Sequence, residues 1–167
     1  MREFKDNEGR PWHVALTVAS AARVRDFVRV VPPSGGDEKP FDLIDAANVA
    51  ETFQILRTNY AAVGNTLYAI LLPKVEERGL SREAFLDALS GEALDAGATA
   101  VEQELVDFFP PRLRSMVAAF VHKMNELTAA TLEEAEAEVK ALAVPGPSSG
   151  SPPGSSASTQ ESGPSGN

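Results

Sequence analysis

The chain contains no cysteine. Disulfides, thiol catalysis and every thiolate metal site are therefore excluded, which fits a reducing compartment. Histidine is scarce too: His13 and His122 are the two present, more than a hundred residues apart. No H-E-x-x-H, C-x-x-C or EF-hand pattern occurs, so no metal site is expected. Long apolar runs are also missing. The most apolar stretch, Ala61 to Leu72, is about twelve residues long and is interrupted by Gly64, Asn65 and Thr66. A membrane span needs roughly 20. The first ten residues, MREFKDNEGR, are charged throughout and lack the apolar stretch of a secretory signal. A soluble cytoplasmic protein, with no membrane partner, is expected. Positive charge is in deficit: 15 Lys and Arg face 24 Asp and Glu in 167 residues, a net charge of -9. Phosphate backbones are bound by clustered cations, so nucleic acid is not the expected partner.

Chemistry-bearing patterns are equally sparse. Gly35-Gly36 is not followed by Gly-Lys-Ser/Thr, and the serines fit no G-x-S-x-G turn. Glu133, Glu134, Glu136 and Glu138 read as a solvated helix face. No catalytic residue, cofactor site or metal site is assigned, and an enzyme is not expected.

What is present divides at Ala143. From Pro145 to Asn167 there are five Pro, five Gly and eight Ser, with Glu161 the one charge. Such a segment cannot bury a core. The expected organisation is one mostly helical domain over 1–143, with an N-terminal hairpin over 2–18, and a disordered Gly/Ser/Pro-rich tail over 144–167.

The hairpin is read from a strand at Glu3 to Asp6, turn chemistry at Asp6-Asn7-Glu8-Gly9, and alternation of Trp12, Val14, Leu16 and Val18 with polar or small residues. Ser20 then caps a helix to about Val30, with Val24, Phe27, Val28 and Val31 as its core stripe and Arg23, Arg25 and Arg29 off it. Phe41 to Ile44 is a candidate third strand edging the hairpin. Helical spacing follows: Val49, Phe53 and Leu56; then Val63, Leu67, Ile70 and Leu71, with Pro73 kinking or restarting the helix and Gly79 closing it. Ser81 caps a short helix to Ser90, with Leu80 and Phe85 spaced as a hydrophobic staple. Leu94, Ala98, Val101, Leu105 and Phe108 mark the next helix, which Pro110-Pro111 stops. The fold class expected is mainly α (α+β): a small hairpin or three-stranded sheet packed on about five to six helices.

The last helix is long. Leu113, Met116, Val117, Phe120, Val121, Met124 and Leu127 form one stripe, and Leu132, Ala135, Val139 and Leu142 a second. At ~100° per residue the second is rotated by about 100° from the first. Thr131-Leu132-Glu133-Glu134 also fits a capping box. A break or a change of packing partner near residue 130 is therefore expected. The second stripe either folds back on the domain or packs against a partner helix. Leu132, Ala135, Val139 and Leu142 are candidate partner-binding residues. So are Arg23, Arg25 and Arg29, which can pair with acidic neighbours or meet an acidic protein.

Asn65-Thr66-Leu67-Tyr68-Ala69-Ile70-Leu71-Leu72-Pro73, followed by Glu76-Glu77-Arg78-Gly79-Leu80-Ser81-Arg82-Glu83-Ala84-Phe85, resembles the tail assembly chaperones of long-tailed bacteriophages and prophages. Those small acidic proteins carry an L-[WY]-A-x-L helix and then a Leu-Ser/Thr-x-Glu helix start. Here these are Leu67 to Leu71 and Leu80 to Glu83. Arg2 to Asp6, Gly9 to Trp12, and Glu104 to Pro110 share the resemblance, which spans about residues 2 to 127; Val31 to Tyr60 does not match. The resemblance implies a protein that binds the tape-measure protein, keeps that long helical chain soluble, recruits tail-tube subunits and then leaves. It implies no cofactor. A small structural tail or connector protein is the alternative, and a regulatory DNA-binding module through the first helix is a further one.

Overall fold

The computed structural model describes residues 1–142, with side chains up to residue 140. The Gly/Ser/Pro segment expected to be a disordered tail lies outside the described residues. The chain divides into two compact units, Met1–Leu127 and Thr128–Asn167. The fold is mainly helical with small antiparallel sheets at its N-terminal end.

Strands β1 (Arg2–Lys5) and β2 (Pro11–Val14) pair antiparallel, with Phe4 opposite Trp12. Period-two alternation buries Phe4, Trp12 and Val14. The connecting turn is organised by a buried carboxylate. Asp6 accepts from the Glu8 and Arg10 backbone N–H groups, the Arg10 side chain and the Trp12 indole. Gly9 supplies the positive φ of 77° that the turn requires.

Alternation continues in sequence to Val18, but the strand stops at Val14 and Val18 is exposed. Helix α1 (Val18–Phe27) begins there. Its N-cap is Thr17 rather than Ser20. The two residues cap each other: Thr17 Oγ1 accepts from Ser20 N–H at 3.1 Å, and Thr17 N–H donates to Ser20 Oγ at 2.9 Å. Serine thus takes the N3 position that Glu or Gln usually fills in a capping box.

Helix α1 also ends earlier than the apolar spacing predicts. Val28 is already extended, at φ -111° and ψ 126°. Strand β3 (Arg29–Val30) pairs with β4 (Lys39–Pro40). The side-chain period therefore changes from 3.6 to 2, burying Val28 and Val30 and leaving Phe27 and Val31 exposed. The expected third strand at Phe41 to Ile44 does not form. Phe41 and Leu43 are buried from an irregular segment, and β3–β4 is separate from the hairpin sheet.

A short 3₁₀ turn, capped by Asp45, leads into α2 (Val49–Thr58). Helix α3 (Tyr60–Glu77) is the central element, packed by α1, α2, α4, α5 and β2. Its core is apolar on most sides: Val63, Leu67, Ala69, Ile70, Leu71 and Val75 are all buried. Pro73 neither ends nor restarts it. Proline has no N–H for the carbonyl four residues earlier, that of Ala69. Arg23 replaces the missing donor. Its Nε donates to the Ala69 carbonyl at 2.9 Å and its Nη2 to the Ile70 carbonyl at 3.1 Å.

Gly79, at φ 65°, follows the end of α3. Ser81 caps α4 (Arg82–Asp87) by accepting from Ala84 N–H, and α4 ends at Asp87, short of the expected Ser90. Helix α5 (Glu92–Phe108) turns Ala93, Gly97, Ala100, Val101, Glu104 and Leu105 inward, a face rotated from the stripe expected through Leu94 and Phe108. Gly97 allows the close approach of α3: a Cβ there would lie 2.6 Å from Leu67 Cδ1. Arg57 and Glu102 tie α2 to α5 through two parallel hydrogen bonds of 2.9 and 2.8 Å.

Helix α6 (Pro111–Leu142) runs unbroken for 32 residues. No break occurs near residue 130, and Thr131 lies inside the helix rather than at an N-cap. In the first unit, Val117 is buried, while Leu113, Phe120, Val121 and Met124 pack at the core's edge. Met116, expected in that stripe, is exposed.

Inside the core, one hydroxyl is left without a hydrogen bond. Thr66 is fully buried, and its Oγ1 makes no hydrogen bond. An unpaired buried hydroxyl costs free energy that a methyl group of the same shape does not. Thr66→Val is expected to stabilise the protein by about 1 kcal/mol. The check is the midpoint of urea unfolding. A lower midpoint for the variant would show that the hydroxyl is satisfied.

Candidate protein-binding surface

Among the described residues, no group of three His, Asp or Glu side chains is placed to hold a metal ion. His13 Nδ1 lies 3.3 Å from Glu3 on the exposed side of the hairpin, and His122 Nε2 3.4 Å from Glu126 along α6. Both are surface neighbours of a carboxylate, not members of a buried array. No described helix is long and apolar enough to cross a membrane.

The three arginines grouped by sequence do not share a face. Arg23 is committed to the α3 carbonyls beside Pro73. Arg25 is exposed on α1, whereas Arg29 belongs to β3, past the helix end.

Many residues of the stretches from Asn65 to Pro73 and from Glu76 to Phe85, and of the N-terminal hairpin, do structural work. Leu67, Ala69, Ile70 and Leu71 are core. Tyr68 packs against Phe85 at 6.0 Å, with the Arg82 guanidinium 5.7 Å from its ring. Trp12 meets Phe85 edge-on at 5.0 Å and is covered by Arg78, whose Nη2 also donates to the Pro11 carbonyl. Glu104 is buried and accepts from Leu16 N–H at 3.3 Å. Phe109 is buried at the α5–α6 junction, where Arg114 donates to the Asp107 and Phe109 carbonyls. Trp12, Leu67, Ala69, Ile70, Leu71, Phe85, Glu104 and Phe109 are thus buried scaffold, whereas Arg78, Ser81, Arg82 and Glu83 are exposed.

Grooves open on the first unit between described residues. One, of about 280 Å³, is lined by Tyr60, Gly64, Asn65, Leu86, Leu89 and Leu94. Its amide wall is already engaged, because Asn65 Oδ1 accepts from Arg82 Nη2 at 2.9 Å. The groove can take an apolar side chain but offers no converging polar groups for catalysis. Sequence reasoning missed it. The one available hint was Tyr60, an aromatic residue at a helix start, which is 67% exposed. Another groove, about 250 Å³ between α5 and α6, is crossed by the Arg2–Asp107 ion pair at 3.0 Å.

In the second unit, α6 carries the predicted stripe at the surface. Leu132 is 61% and Val139 65% exposed, and Ala135 is exposed between them. Leu142 is the last residue of the helix, and its side chain lies outside the described residues. Large aliphatic side chains at spacings of three and four form one apolar line along a helix. Glu133, Glu134, Glu136 and Glu138 accompany it, all exposed. Such a surface supports a helix–helix contact; it contains no nucleophile or proton-transfer pair.

In comparison with known proteins, no family model matches the chain, and neither a curated protein nor a solved structure matches it.

Proposed function

We propose that the protein is a non-enzymatic assembly chaperone of a phage or prophage tail, which holds a helical, tape-measure-like protein and recruits tail-tube subunits. The observation that carries this reading is the exposed aliphatic line of Leu132, Ala135 and Val139 on α6. Exposed apolar surface at helical spacing is what helix-in-groove or helix-on-helix recognition uses. The resemblance of Leu67 to Leu71 and Leu80 to Glu83 to tail assembly chaperones points to the same class. The net charge of -9 suits contact with protein rather than with a phosphate backbone.

The test is capture. Tagged full-length chain is mixed with a lysate of a host induced for tail production, and retained proteins are identified by mass spectrometry. A long helical tail protein is expected, retained by the wild type and lost in Leu132→Asp/Val139→Asp. Recovery of the chain as a stoichiometric part of purified particles would instead make it a structural tail component.

A further inference from the structure

The charges beside the aliphatic line specify the kind of helix that pairs with it. Leu132, Ala135, Val139 and Leu142 are spaced three, four and three apart, as at the a and d positions of a heptad. At ~100° per residue, Glu136 and Glu138 fall about 80° to either side of that line. They therefore occupy the two flanks that a neighbouring helix approaches. Lys140, the one cation between residues 128 and 142, falls about 120° from the line, on the Glu136 side and about 40° behind that residue. Glu134 lies about 120° from the line on the Glu138 side and Glu133 about 140°, so the segment holds four glutamates against one lysine.

Flanking charges set partner choice in paired helices. A second copy of the same segment would bring Glu136 and Glu138 against flanks that hold no cation. Like charges so placed oppose self-pairing. We infer that the segment from residue 128 to 142 pairs side by side with an amphipathic helix whose apolar stripe is bordered by Lys or Arg. This rests on the partner-binding reading of the stripe and adds the chemistry of its partner.

Two synthetic peptides of three heptads serve as probes, both with Leu at a and d, one with Lys and one with Glu at the flanking positions. Binding to the full chain is read by fluorescence anisotropy. The Lys-flanked peptide is expected to bind, more weakly as salt rises. Glu136→Lys/Glu138→Lys should weaken it at least about tenfold and admit the Glu-flanked peptide. Failure of the wild-type chain to bind the Lys-flanked peptide would overturn the inference. So would equal binding of that peptide by the charge-reversed variant. The same variant separates the two readings. If Leu132→Asp/Val139→Asp abolishes capture of the tail protein while charge reversal leaves it unchanged, the stripe binds but its flanks are not read.

Discussion

Replacing Asp6 with alanine is expected to destabilise the fold by about 3 kcal/mol, which lowers the unfolding temperature by on the order of 10 °C. The Asp6 side chain is fully buried. Its removal strands the buried Trp12 indole N–H and the Arg10 Nε, leaves Arg10 only its ion pair with Glu8 at 2.9 Å, and adds to an Nη2 that already lacks a partner. Burial alone would push the Asp6 carboxyl up. Hydrogen bonds from Trp12, the Arg10 side chain and the Arg10 N–H, with the Arg10 charge, outweigh it and hold the group below its ordinary value of 3.8. A carboxyl depressed in the folded state stabilises fully above its unfolded pKa and loses that contribution as pH falls through the folded one. The stability gap between wild type and Asp6→Asn should therefore be widest near neutrality and close below about pH 4. Thermal unfolding at a series of pH values reads both effects. A gap constant down to pH 2 would show that the ionised carboxylate is not what organises the turn.

Arg23→Ala is expected to cost about 2 to 3 kcal/mol, the range for losing hydrogen bonds from a charged donor to buried carbonyls. The cost should depend on Pro73. In a Pro73→Ala background the Ala69 carbonyl regains a backbone donor from its own helix, and removal of Arg23 should then cost under about 1 kcal/mol. The expected coupling in the double-mutant cycle is about 1 to 2 kcal/mol, measured by urea unfolding of the four proteins. Additive effects would mean that Arg23 does not compensate for the proline.

These two residues mark what sequence patterns reveal and what they miss. Local signals were legible. Ser81 as a cap, the turn at Asp6 to Gly9, the alternation of Trp12 and Val14 and the spacing of Val63, Leu67 and Ile70 each depend on neighbours within one or two turns. The start of α1 was misplaced because Ser20, a good cap type, serves at N3 for Thr17. Its end was misplaced because Val28 fits either period, while Val30 is buried only on the strand that pairs with β4. Arg23 looked like a surface cation, since its partners lie 46 and 47 residues away. Asp6 was legible as a turn residue but not as a buried hub, because that role follows from the Trp12 indole closing over it. In the candidate surface, the α6 stripe was visible because helical spacing alone defines it. The groove at Tyr60, Leu86 and Leu94 was not, being assembled from three separate helices.

On the proposed reading, Leu132 and Val139 are exposed for a partner and not for the fold. The most direct measurement compares thermal unfolding and tail-protein capture for the wild type and Leu132→Asp/Val139→Asp. Side chains that remain in water contribute little to stability, so the unfolding temperatures should agree within a degree or two. Capture by the variant should be lost. A variant that unfolds well below the wild type yet still retains the tail protein would assign the stripe to the fold.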